Sequence, residues 1–217
     1  MMKLLNKVFV TAGFALGTLA FSGEALAQEA PDVLVKRITQ EVMEIAKNDQ
    51  EIKAGNQKRI QALVETKILP HVDFKRATAM AVGRYWRDAT SQQQQQLTGE
   101  FSALLFHTYA GAISKIGDQK VEFKPLAANP DDTEVVVRFQ VQQPRGGEPV
   151  QVGYRLYKSP QGWKVYDVNL LGAWLIETYK GTFSAEIGKG GIDGLIRTLS
   201  EKNRSLAGQA GGGGRAF

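Results

Sequence analysis

Few residues in this sequence can make or break covalent bonds, and their spacing narrows the chemistry further. Cysteine is absent, which removes thiolate nucleophiles, disulfides and cysteine-ligated metal sites. The two histidines, His71 and His107, stand too far apart in the chain for a metal-binding pair on one helix. His107 shares a helix face with Leu104, Leu105 and Thr108, the position of a satisfied, half-buried side chain, and His71 follows Pro70 in a loop. No Gly-x-Ser-x-Gly is present, so the turn that exposes a hydrolase serine is missing. No phosphate-cradling Gly-x4-Gly-Lys-Ser/Thr is present either. Gly188, Gly190, Gly191 and Gly194 have the wrong spacing for a dinucleotide fingerprint and follow a helix rather than a strand, so they read as a helix–helix turn. Two aspartates remain as general-base candidates. Asp167 ends a strand between Tyr166 and Val168, and Asp73 opens a helix. On a cone-shaped α+β fold an inward carboxylate suits proton abstraction, the chemistry of a small-molecule isomerase. Asp73 is more simply an N-cap, and Asp167 has Arg155 and Arg138 as ion-pair partners. No cofactor or metal motif accompanies either.

The elements that position these groups follow from hydrophobic period. Val35, Ile38, Val42 and Ile45 recur at helical spacing from Pro31 onward, and Ile60, Leu63, Val64 and Ile68 form a second helix stopped by Pro70. Asp73 caps a third helix, Phe74 to Val82, with Gly83 at its end. Thr90 and Gln93 make a capping-box pattern at the head of a fourth, whose core stripe is Leu97, Phe101, Leu104, Leu105 and Thr108 and which Gly117 ends. The period then changes to two. Val121 and Phe123 start a short strand, and Val135, Val137, Phe139 and Val141 alternate with Glu134, Arg138, Gln140 and Gln142. The turn Arg145-Gly146-Gly147 leads to Val150, Val152, Tyr154 and Leu156, and Ser159-Pro160-Gln161-Gly162 leads to the strand Trp163 to Val168. Helical patterns return over Trp174 to Ile187 and again over Ile192 to Leu199. The fold class is α+β: one antiparallel sheet of about four strands with several helices packed on one face. Residues 207–217, with Gly211 to Gly214, form a tail expected to be disordered.

The first 27 residues predict the compartment. Lys3 and Lys7 precede an uncharged run, Val8 to Phe21, and Ala25-Leu26-Ala27 fits a small-x-small cleavage site before Gln28. The run is short of the roughly 20 residues a spanning helix needs. This is the pattern of a cleaved secretory signal (residues 1–27), ahead of a single domain over residues 28–206. With no cysteine for a lipid anchor or a disulfide, the pattern points to a soluble protein of the bacterial periplasm. The net charge of +5 is mild, and its basic residues are interleaved with acidic ones. No basic stripe for nucleic acid exists, and encounter with acidic surfaces or anionic lipid is favoured.

The informative feature is a pair of apolar faces. The strands contribute Val135, Val137, Phe139, Val152, Tyr154, Leu156, Trp163 and Val165. The helices contribute Phe101, Leu105, Tyr109, Ile113, Trp174, Leu175, Tyr179 and Phe183. Two readings stay open at this point: a close-packed core, or a sheet and helices that stand apart and enclose a cavity for an apolar ligand.

Particular strings add to this. Asp73-Phe74, Ala81-Val82-Gly83-Arg84-Tyr85-Trp86-Arg87-Asp88-Ala89-Thr90, Gln94, Phe101 and Leu104-Leu105-x-x-Thr108-Tyr109 come first. Tyr154-Arg155-Leu156, Gly162 to Val168, Gly172-x-x-Leu175-x-x-x-Tyr179, Phe183 and Gly194-Leu195-Ile196-x-x-Leu199 follow. In this order and spacing, over roughly Pro31 to Leu206, they resemble the MlaC family, also called the toluene-tolerance family, of periplasmic phospholipid-binding proteins. The resemblance implies a carrier without catalysis. Such proteins shuttle a glycerophospholipid between an outer-membrane lipoprotein–porin complex and an inner-membrane ABC transporter with its tethered substrate-binding subunit, which maintains outer-membrane lipid asymmetry. The acyl chains sit between sheet and helices and the headgroup stays outside, so the two apolar faces become the walls of a tail pocket. One string departs: Gly172-Ala173-Trp174-Leu175 stands where many relatives have a Gly-Val-Ser-Leu-like run, and its tryptophan is expected to reshape the pocket mouth.

Overall fold

The structure is a computed structural model that describes residues 28–129, 131–143 and 146–211. The expected signal segment, Arg145 of the first hairpin turn, and residues 212–217 lie outside them. Helix α1, Pro31–Asn48, starts with proline in its first turn and buries Leu34, Val35, Val42 and Ala46. Two short helices follow, α2 (Gln50–Lys53) and α3 (Gln57–Leu63), capped by the side chains of Asp49 and Asn56. A π turn (Val64–Ile68) and a 3-10 turn (Leu69–His71) carry the chain past Pro70. Helix α4, Phe74–Val82, has the expected cap: an Asp73 carboxylate oxygen accepts from the Arg76 amide at 2.8 Å. Gly83 takes φ +65° at its end, a conformation open to glycine at little cost. Helix α5, Ser91–Ile113, opens with the full reciprocal capping box of Thr90 and Gln93 and ends at Ile113, short of Gly117.

The sheet is an antiparallel meander of five strands in sequence order: β1 (Val121–Phe123), β2 (Glu134–Val141), β3 (Val150–Ser159), β4 (Gly162–Leu170) and β5 (Ala173–Trp174). The fifth strand is only two residues long and pairs with the end of β4, so strand alternation in the sequence does not reveal it. A β-bulge shifts the register of β3 against β4: Arg155 faces Asp167, but Leu156 faces Val165, so Tyr166 is the extra residue. The last element, α6 (Leu175–Gly211), is two helices joined at Gly191, whose φ of +67° and ψ of −171° are not helical. Thr198 donates back to Glu186 across this break, so the two limbs fold against each other. The glycine cluster is therefore the helix–helix turn that its spacing suggests, and the helix runs on to Gly211, into the glycine-rich tail.

Three buried clusters hold the elements together. In the first, α4, α5 and α6 pack around Phe101, Phe183, Leu97, Leu195 and Ala81, with the bulge residue Tyr166 attaching them to β4. In the second, Leu34 and Val35 of α1 cover Val135, Val137, Phe139, Leu156, Trp163 and Val165 of the sheet. In the third, the later turns of α1 meet α2, α3 and the end of α5 around Ile52, Ile60 and Ala110. Residues 72 and 73 also pair with the free edge of β4: Val72 bridges Val165, and the Asp73 amide donates to its carbonyl at 2.8 Å.

Candidate functional site

Burial along the apolar face of the sheet is graded. Val137 and Leu156 are 1% and 0% exposed beneath α1. Further along the same face Val141, Val152, Tyr154 and Val168 are only partly buried. The physical reason lies in α1. Its first turns cover the strands, and from Val42 onward its apolar side faces α2, α3 and α5 instead. Helices α5 and α6 show the same pattern. Phe101 and Leu104 are sealed in the helical core, whereas Leu105, Tyr109, Ile113, Leu175 and Tyr179 keep accessible surface. Sheet and helices are thus each packed on one part of themselves and apolar on another.

Tyr154 lies on the accessible part of the sheet's apolar face. It faces Val137 on β2 and Val168 on β4 and sets its ring edge-on to Phe139 at 5.4 Å. Burial pushes its phenol up to about 12, yet the side chain retains accessible surface. On the helices, burial also raises Tyr179, which packs against Phe101 and Phe183 and has Thr108 and Tyr109 as polar neighbours. The environment is hydrocarbon with a few hydroxyls, suited to holding an apolar ligand and without a nucleophile, paired acid and base, or metal-ligand set. Among the described residues no cluster of histidine, aspartate and glutamate is arranged for a metal.

The two candidate bases do other work. Plain alternation through Trp163 and Val165 would point Asp167 inward, but the bulge at Tyr166 puts Val168 in phase with Tyr154 and turns Asp167 to the other face. There Asp167, 3% exposed, accepts from Arg155 at 2.9 Å and from the amides of Val168 and Ile176 at 2.9 and 3.1 Å. Burial raises its carboxyl above the ordinary range, against the pull of those donors and of the Arg155 charge. The Ile176 amide is one of the unpaired donors at the head of α6, so Asp167 ties that helix to the sheet. Asp73 accepts from the Tyr157 hydroxyl at 2.5 Å in addition to capping α4. Beside it Arg76 lies 4.2 and 4.9 Å from the ring centres of Tyr157 and Tyr166 and bonds Glu134 at 2.5 Å.

The sixteen residues expected to line a pocket divide accordingly. Val152, Tyr154, Leu105, Tyr109, Ile113, Leu175 and Tyr179 are the partly buried ones. Val135, Val137, Phe139, Leu156, Trp163 and Val165 are packed beneath α1, and Phe101 and Phe183 stack edge-on at 5.1 Å inside the helical core. Trp174 departs from expectation. It pairs with Asn169, lies over Gly153 and Arg138, and carries the Arg155 guanidinium 3.9 Å from its ring centre, all on the opposite face of the sheet from Tyr154. It braces the start of α6 instead of shaping a pocket mouth. The sixteen leave out Ile38, Val141 and Val168, although Val141 belongs to the alternating stripe of β2. Ile38 borders two of the clusters, which its place in the α1 stripe signals; Val168 follows only from the bulge.

Known proteins bear on what such a space holds. The family model described as MlaC protein matches residues 36–201. The intermembrane phospholipid transport system binding protein MlaC of Haemophilus influenzae is 24% identical over 200 residues, 91% of this chain and 93% of that protein. A phospholipid-binding protein from Ralstonia solanacearum, solved in complex with a phospholipid, is 46% identical, with a TM-score of 0.79 over 82% of this chain and 99% of that one. The match spans α1 to the second limb of α6 and takes in both apolar faces, and on that ground this chain belongs to the MlaC family.

Proposed function

We infer that this protein is a periplasmic phospholipid carrier, holding the acyl chains of a glycerophospholipid between the partly buried faces of the sheet and of α5 and α6. The likeness to the R. solanacearum protein solved with a phospholipid carries this reading, and the graded burial of the sheet supports it. Two acyl chains hold about thirty methylenes, each worth roughly 0.8 kcal/mol when withdrawn from water, so a free lipid cannot cross an aqueous compartment and needs a carrier. The signal-like pattern of residues 1–27 supports a location outside the cytoplasm, and no described helix is long and apolar enough to cross a membrane. Its partners are an outer-membrane lipoprotein–porin complex and an inner-membrane ABC transporter with a tethered substrate-binding subunit, and its service is outer-membrane lipid asymmetry. The mild positive charge steers encounter with anionic partners. An isomerase-type activity finds no support, because Asp167 is engaged on the far face of the sheet. Native mass spectrometry of the mature protein purified from a bacterial periplasm tests the carrier reading. An adduct of phospholipid mass is expected; a bare chain that also takes up no lipid from vesicles overturns it.

A further inference from the structure

Three tyrosines on the two apolar faces keep accessible surface, Tyr109, Tyr154 and Tyr179, and Tyr179 has Thr108 and Tyr109 as polar neighbours. Tyr154 is different. Its cross-strand neighbours are Val137 and Val168, its ring partner is Phe139, and among the described residues its hydroxyl makes no hydrogen bond. A hydroxyl in hydrocarbon surroundings is unfavourable until an acceptor reaches it. Because its proton is held to about pH 12, the group is a donor under all physiological conditions.

The chemistry of a phospholipid limits what that acceptor is. Acyl methylenes accept nothing. A phosphate brought here would be an unpaired charge, since among the described residues no lysine or arginine faces Tyr154 across the sheet or lies over its ring. The ester carbonyls at the head of the acyl chains are neutral acceptors carried inward with the tails. We propose that Tyr154 donates a hydrogen bond to an ester carbonyl of the bound lipid, which makes it a specificity residue for acyl-ester over alkyl-ether linkage. This rests on the carrier reading above.

Mixed vesicles of dioleoyl phosphatidylglycerol and its di-O-oleyl ether counterpart, with uptake read by native mass spectrometry, test it. The wild type is expected to take up the diester in about five-fold preference, the factor carried by one neutral hydrogen bond. Tyr154→Phe, which removes one oxygen, brings the ratio near unity at an unchanged melting temperature. Tyr85→Phe, which removes a hydroxyl bonded to Arg84 and not to the apolar faces, keeps the preference. Equal uptake of both lipids by the wild type, or a preference that survives in Tyr154→Phe, overturns the assignment and leaves the carrier reading standing. A wild type that takes up neither lipid removes the carrier reading and the assignment with it.

Discussion

Asp167 shows how much one residue's neighbours decide. Its side chain is withdrawn from water and held by Arg155 and two amides. Removing one partner of a buried pair is costly because the other charge stays behind. Arg155→Met is expected to lower stability by about 3 kcal/mol at neutral pH, near the low end for such pairs because Arg155 is partly exposed. The sign with pH follows from the raised carboxyl. The folded state holds the Asp167 proton more tightly than the unfolded chain does, so stability falls as pH rises from the unfolded value of 3.8 through the folded one. Without Arg155 the folded value rises further and that window extends upward. Below both values Asp167 is neutral in either state, so the gap between variant and wild type narrows on acidification. Urea unfolding at several pH values checks this; a gap that is constant with pH rules out Asp167 as the origin of the loss.

Helix α6 poses the same question for an element. Gly191 occupies a region of backbone space that side chains rarely adopt, and a Cβ there would meet nothing within 4 Å. The cost of Gly191→Ala is therefore conformational alone, about 1–3 kcal/mol. Gly188, three residues earlier, is in ordinary helix with equally open surroundings, so Gly188→Ala is expected to stabilise by up to about 1 kcal/mol. Thermal unfolding of the two variants in opposite directions confirms the break; the same sign in both would mean that α6 is continuous. The caps at Asp73 and Thr90 and the stripes of α1 and α5 were legible in the sequence, because they rest on neighbours three or four residues away. The glycine cluster was legible as a turn for the same reason, though not its backbone angles.

At the scale of the molecule, one apolar face is divided into a sealed part and an accessible part. Val137 and Val152 both belong to the face that strand alternation picks out. Val137→Glu places a charge at a site 1% exposed beneath α1 and is expected to prevent folding. Val152→Glu, at the partly buried end, is expected to leave a folded protein stripped of lipid. Circular dichroism melting and the lipid content of each purified variant separate the two effects. A folded Val152→Glu protein with wild-type lipid content would remove this part of the sheet from the pocket.

Local pattern in the sequence was enough for the fold class, the meander order, the helix caps and the family, since each is written in spacings of two to four residues or in ordered strings. It was also enough to remove most catalytic chemistry, because the residue types are absent. Tertiary structure decided the rest. The bulge at Tyr166 moves Asp167 off the apolar face and brings Val168 onto it, and a register shift of one residue reverses every side chain beyond it. The two-residue strand β5 puts Trp174 on the far side of the sheet with Arg155. Which apolar residues are sealed and which stay accessible depends on where α1 leaves the sheet. Hydrophobic period marks a face as apolar; only the packing of distant elements determines how much of it is covered.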